Sequence, residues 1–245
     1  MKRDIKKKYK IEFHVHTKFS ADSFLGKYLL FLMCKFKKIN CIAITDHNEI
    51  EGALKFKNFF EKHNINIIVG EEIFTKDGEI IGLFLKNKIF PNLSAEETVS
   101  QIKSQNGVVY IPHPYDEKRY KTVINPEALN RIYKNVDLIE CHNGRNIKKE
   151  FSVKQNQIAN KYNLIKVVGS DAHTFYEIGR NYCITSEVVT KNNIKEMINK
   201  SNFKMKKSIK FAHFNTRVVR LLKLIKGGKW NELSRIINKR LKRNR

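Results

Sequence analysis

The chain has 245 residues, 41% of them hydrophobic: enough for one domain with a real core, and too many for a disordered segment. It contains no run of eighteen apolar residues, and the basic start MKRDIKKKYK leads into IEFHVH rather than an apolar signal core, so neither a membrane span nor secretion is expected. The net charge is +24, and residues 201–245 carry 15 Lys and Arg against the single acid Glu232, which makes the body moderately basic and the tail strongly so.

Taken in chain order, short apolar runs alternate with helix-length segments. KIEFHV predicts a first strand that ends in His14-Val-His16, with Asp22 six residues further on. Alternate strand residues share a face, so the two histidines point the same way. GKYLLFLMCKFKK is apolar on nearly every side and predicts a buried helix. NCIAIT predicts a second strand ending in Thr45-Asp46-His47-Asn48, followed by an amphipathic helix over 49–63. INIIVG runs into Gly70-Glu71-Glu72, and EIIGLFL is a further strand. SAEETVSQIKSQNG opens with Ser94 and Glu97 in capping-box spacing and closes on Gly107. GVVYIP ends at Pro112-His113-Pro114, and VDLIEC at Glu140, His142 and Asn143. NIKKEFSVKQNQIANKYN is helical, LIKVVG ends in Ser170-Asp171-Ala172-His173, and NYCIT is the last strand. This alternation implies an α/β domain with a largely parallel sheet.

Each polar pair has a plain structural explanation when taken alone. HxH can be a satisfied core pair, TDHN a helix cap, His113 a rigid turn between prolines. Together they place metal-type side chains after six strands, always at the C-terminal end, and in an α/β barrel those ends converge on one face. His63, at a helix end, and His213, at the start of the tail, have no such neighbours. The four cysteines, Cys34, Cys41, Cys141 and Cys183, are scattered, which fits a reducing compartment and excludes a disulfide framework or a zinc knuckle. Imidazole and carboxylate without thiolate suits Mn, Fe or Zn in a hydrolytic site. No P-loop, GxSxG or dinucleotide fingerprint occurs, so metal-assisted hydrolysis is the chemistry left.

HVHTKFSAD, AITDHNEIEGA, GEEI, IPHPY, IECHNGR and GSDAHTFYEIGR resemble, in that order, the motifs of the PHP (polymerase and histidinol phosphatase) family, from about Ile11 to about Thr185. The likeness is to small stand-alone members described as metal-dependent phosphoesterases. The resemblance implies a distorted (β/α)7 TIM-like barrel holding two or three divalent metal ions (Mn, Zn or Fe). It implies that His14, His16, Glu71 and Asp171 hold the first metal. Glu71 would bridge to a second, held also by His113, while Asp22, His47 and His173 hold a third. Asp46 would orient a ligand or the bound water, and His142 or its neighbour Asn143 would complete the second site. Arg145, Arg180 and Lys18 are candidates for gripping a substrate phosphate, Arg180 also for stabilising charge in the reaction.

These readings divide the chain into a metallohydrolase barrel, 1–210, and a basic amphipathic helical tail, 211–245. Gly227-Gly228 splits the tail into two helices, with Val218, Leu221, Leu222, Leu224 and Ile225 on one face of the first. Trp230, Leu233, Ile236, Ile237 and Leu241 line one face of the second. The tail is read as a hairpin packed on the barrel, as a contact with an anionic membrane surface, or, more weakly, as a nucleic-acid contact. The expected function is cleavage of a small phosphorylated substrate by attack of a metal-bound hydroxide, in a cytoplasmic protein that the tail could hold at the membrane periphery. The alternative is a catalytically degenerate PHP module recruited to membrane or nucleic acid by the tail.

Overall fold

The computed structural model describes residues 8–119 and 121–241. Its strands are β1 (Tyr9–Val15), β2 (Cys41–Ile44), β3 (Asn66–Thr75), β4 (Gly78–Leu83), β5 (Val108–Ile111), β6 (Leu138–Asn143), β7 (Ile165–Ala172), β8 (Tyr182–Thr185) and β9 (Asn202–Lys204). The first seven pair in sequence order, and β1 pairs with both β2 and β7, which closes a seven-stranded barrel. All its neighbours run parallel except β4, which is antiparallel to both β3 and β5. The reversal comes from the two-residue turn Lys76-Asp77, closed by Gly78, the first residue of β4, at φ 120. β8 and β9 continue antiparallel from the edge of β1, outside the barrel.

The helices are α1 (Lys27–Lys37), α2 (Glu51–Glu61), α3 (Ala95–Ser104), α4 (Pro126–Ile132), α5 (Lys149–Lys161), α6 (Ile194–Asn199), α7 (Lys210–Lys226) and α8 (Trp230–Leu241). Strand alternation divides the core in two. Ile11, Phe13, Ala43, Ile68, Ile81, Val108 and Tyr110 form one buried cluster inside the barrel. Ile42, Ile44, Ile67, Val69, Ile73, Val109 and Ile111 form the second, under the helices. The Ser94–Glu97 capping box is present at α3 as expected, both halves of it formed. α1 departs from the expectation of a buried helix. Only Leu30 and Cys34 are buried, whereas Tyr28, Leu32 and Phe36, one turn apart, are 66%, 60% and 74% exposed. One narrow stripe is all that a barrel presents to a helix on its outside.

α7 packs across the barrel's C-terminal rim. Its His213 Nε2 lies 3.0 Å from the Arg145 carbonyl, and Asn215 donates to the Tyr176 hydroxyl at 2.7 Å. Lys223 Nζ donates to the carbonyls of Lys18 and Ser20, at 2.7 and 2.5 Å. α8 leaves Trp230 59% exposed. Among the described residues no helix is long and apolar enough to cross a membrane.

Candidate metal centre

Inward-facing histidines and carboxylates meet at the C-terminal rim. Glu72, from β3, stands at the middle. Its Oε1 lies 3.1 Å from Nε2 of both His14 and His113, and its Oε2 lies 3.2 Å from His16 Nε2 and 3.0 Å from His47 Nδ1. Glu79 brings Oε2 to 3.1 Å from His113 Nε2, and Asp171 brings Oδ1 to 3.6 Å from His16 Nε2 and 3.4 Å from His173 Nδ1. Asp22 Oδ2 is 3.2 Å from His173 Nε2 and 3.7 Å from His47 Nε2. Four groups have potential ligand atoms within 4.8 Å of one another: His16, Asp22, His47 and His173; His14, Glu72 and His113; His14, His16 and Asp171; and His47, Glu72 and Glu79.

The backbone is bent to aim these side chains. His14, His113 and Asp171 have positive φ, 68, 26 and 51, conformations that cost non-glycine residues roughly 1–3 kcal/mol each. Register slips in the pairing of β1 with β7 between Phe13 and Val15, opposite Gly169 to Ala172, a bulge that spans His14 and Asp171.

The donor set fits divalent cations. His14 Nε2, His16 Nε2, His47 Nδ1 and Glu72 Oε2 are buried without a hydrogen-bond partner although they crowd within about 3 Å of each other's groups. Lone pairs arranged in this way converge on shared points rather than on one another. The electrostatics agree. Burial would raise the Glu72 carboxyl, but His14 and His47 hold it well below the usual range. Burial would likewise lower the histidines, yet the surrounding carboxylates push His14 well up, His47 to about 10 and His113 to about 9. The cluster takes up protons where cations would supply the same positive charge. His16, buried beside His173 and His47, is held well down and keeps a free lone pair.

Supporting groups fix the orientations. Glu140 accepts from His14 Nδ1 at 2.7 Å, from the His113 amide at 2.6 Å, from Asn143 Nδ2 at 2.8 Å, and from the Tyr110 hydroxyl. Ser20 Oγ contacts His16 Nδ1 at 3.0 Å. A ligating imidazole is typically held this way through its other nitrogen.

Of the residues expected from sequence, His14, His16, Asp22, His47, His113, Asp171 and His173 are brought together. Glu71 is not. On β3 the inward set is Ile68, Gly70 and Glu72, so Glu71 falls with Val69 and Ile73 on the helix side. There its Oε2 accepts from the Ile89 amide at 2.8 Å, and burial pushes its carboxyl up to about 7. His142 is also outside: a bulge after Glu140 breaks the alternation and turns it to Ser152 Oγ of α5, at 2.8 Å. We expect His142→Ala to leave metal per chain at the wild-type value, which elemental mass spectrometry checks. Asn143 reaches Glu140 rather than a candidate ligand group. Asp46 stands beside the groups, its carboxylate taken by the Thr17 amide at 2.5 Å and hydroxyl at 2.6 Å, where it holds the turn that carries His16.

The residues expected to grip phosphate each make a contact within the chain. Arg145 is buried in a two-pronged pair with Glu177, at 3.0 Å on each prong. Arg180 donates to the Lys207 carbonyl at 2.9 Å, and Lys18 extends over the Phe19 ring. A guanidinium that does reach the cluster is that of Arg119, whose Nη1 is 2.6 Å from Asp171 Oδ2. Arg119 lies in the loop between β5 and α4, past the Pro112-His113-Pro114 turn, and the strand-end pattern of the sequence does not reach that far along it. Glu79 did carry a sequence signal. The Asp-Gly pair before it marks a hairpin, and the start of an antiparallel β4 must then lie at the same rim as the ends of its neighbours.

A family model described as "PHP domain" matches residues 12–242, past the end of the motif resemblance and through α7 and α8. The uncharacterized protein MJ0417 of Methanocaldococcus jannaschii is 35% identical over 181 residues, 73% of this chain and 71% of that protein. MJ1587 of the same organism is 40% identical over 119 residues, 43% of this chain and 68% of that protein. Among solved structures, a two-domain protein from Bacteroides vulgatus "containing predicted PHP-like metal-dependent phosphoesterase" superposes with a TM-score of 0.67 at 18% identity, over 81% of this chain. The match spans 65% of that two-domain chain, a little under two thirds. PsfC from Pseudomonas syringae superposes with a TM-score of 0.63 at 14% identity, covering 89% of this chain and 98% of its own. At these identities the structures speak to the fold.

Proposed function

The chain belongs to the PHP domain family, and from that premise we propose that it is a metal-dependent hydrolase of phosphate esters. The observation that carries the reading is the convergence of His14, His16, Asp22, His47, Glu72, Glu79, His113, Asp171 and His173 with buried, unsatisfied lone pairs. Two or three divalent ions, Mn, Zn or Fe, would be held there, and they supply Lewis acidity toward a phosphoryl oxygen and acidify bound water. In the net reaction the bond from phosphorus to the ester oxygen breaks, a water oxygen joins phosphorus, and the alcohol leaves with a proton.

The chain's own residues have separable tasks in this proposal. Glu72 touches His14, His16, His47 and His113 and would be shared between ions held on either side of it. Glu140 and Ser20 keep His14 and His16 turned inward. Arg119, 21% exposed in its side chain, is the guanidinium best placed to take a phosphate oxygen as a bidentate or single donor. Lys223, lowered by partial burial but near Asp22 and Asp46, adds positive charge at the mouth.

Two measurements test this. Metal-loaded protein is expected to release phosphate from a screened set of mono- and diesters, and a chelator is expected to stop it. Ligand saturated to 100 times its Kd stabilises by about 2.7 kcal/mol, so chelation is expected to lower Tm by roughly 5–10 °C in a chain of this size, reversed on adding metal. No turnover and an unchanged Tm would contradict the proposal.

A further inference from the structure

The space beside the metal cluster is unlike the cluster itself. A cavity of about 230 Å³ has His173 in its wall, together with Phe24, Leu29, Phe175, Val218 and Val219. Three elements distant in sequence build it: the segment into α1, the turn after β7, and α7 of the tail. Its wall is mostly carbon, and several of its polar groups already meet partners within the chain. Thr174 Oγ1 donates to Glu177 Oε2 at 2.7 Å, Asn215 donates to the Tyr176 hydroxyl, and both nitrogens of His173 face carboxylate groups, Asp22 and Asp171. At its rim Phe24, Leu29 and Phe175 are 51%, 42% and 46% exposed, apolar surface that an occupant would cover. Lys223 Nζ sits 5.3 Å from the centre of the Phe24 ring, on the side toward the turn that carries His16 and Asp22.

Resting on the hydrolase reading above, we propose that this cavity receives the alcohol portion of the ester and selects an apolar one, an alkyl or aryl group, over a polyol. A group joined to a phosphate at the cluster enters the cavity past His173. The walls reward burial of carbon, whereas a sugar or glycerol would give up water for walls with few polar partners. Pockets for drug-sized ligands measure about 300–1,000 Å³, so the smaller volume here suits one ring or a short chain. The tail is thereby part of the substrate site, since α7 supplies two of the apolar walls.

The test compares two primary alkyl esters of like intrinsic reactivity, hexyl phosphate and glycerol 1-phosphate, on the full-length, metal-loaded protein. Pocket discrimination runs about 10–200-fold per methylene-sized difference, so kcat/KM is expected to favour the hexyl ester at least 10-fold. Val219→Trp, which fills the cavity, and Phe175→Ser, which strips its rim, are expected to collapse that ratio. Calorimetry supplies a readout independent of turnover: hexylphosphonate is expected to bind at least about 10-fold tighter than methylphosphonate, with a negative heat-capacity change. Turnover of both esters with a ratio near one, or equal binding of the two phosphonates, overturns the subsite and leaves the hydrolase standing. Turnover of neither ester, nor of any other in the screen, overturns the hydrolase reading and the subsite with it.

Discussion

Glu72→Gln is expected to lower the proposed phosphate-ester turnover by at least about 100-fold, while Glu71→Gln, one residue away, is expected to stay within about threefold of wild type. Losing a group that merely holds a ligand typically costs 10–100-fold in metal affinity or activity, and Glu72 touches His14, His16, His47 and His113 directly. The amide keeps the shape and removes the charge that the four imidazoles gather around. Glu71 faces the helices, where its protonated form is already favoured by burial, so the neutral isostere changes little there. The pair is a sharp control because both variants sit on one strand and share length and chemistry. Equal loss in both would mean that the register of β3 is not the one described here.

The second large effect is on stability. Gly169→Ala is expected to lose about 3 kcal/mol. A Cβ at this position would run into the Glu140 carboxylate and crowd the Tyr110 hydroxyl. Glu140 cannot step aside, because it accepts four hydrogen bonds while fully buried. Overpacking costs roughly 1–3 kcal/mol, and freeing buried partners adds about 1–3 kcal/mol more. In a chain of this size the expected fall in Tm is roughly 6–12 °C, and looser anchoring of His14 should lower metal retention as well. Gly26→Ala, where a Cβ meets nothing within 4 Å, serves as the control and is expected to cost about 1 kcal/mol or less. A thermal melt of the three proteins settles it. Gly169→Ala melting with wild type would show that Glu140 has room to move and is not the fixed hub described.

Much of this architecture could be read from the residues, and the misses share a cause. Every predicted strand is a strand, because apolar runs of four to eight residues bounded by helices or turns have few alternatives in an α/β chain. The histidines were found because imidazole is rare and its recurrence at strand ends is hard to explain otherwise. Carboxylates were harder. Gly70-Glu71-Glu72 offers two acids of opposite facing, and only the register with β2 and β4 decides between them. His142 was lost to a bulge that no local pattern announces. Arg145 looked free because its partner, Glu177, lies 32 residues away. The apolar stripe of α1 was read as buried because composition reports how much hydrophobic surface exists, not how much of it the barrel can cover. The placement of α7 is hidden for a similar reason: its Val218 and Val219 look like any amphipathic face until the fold sets them beside His173.

The most direct test of the central claim is metal content per chain, measured by elemental mass spectrometry on wild type and on Glu72→Gln after reconstitution with Mn, Zn and Fe. Two or three ions per wild-type chain and a clear drop in the variant are expected, with both proteins folded by circular dichroism. A wild-type chain that binds no metal, or a variant that binds as much as wild type, would contradict that claim.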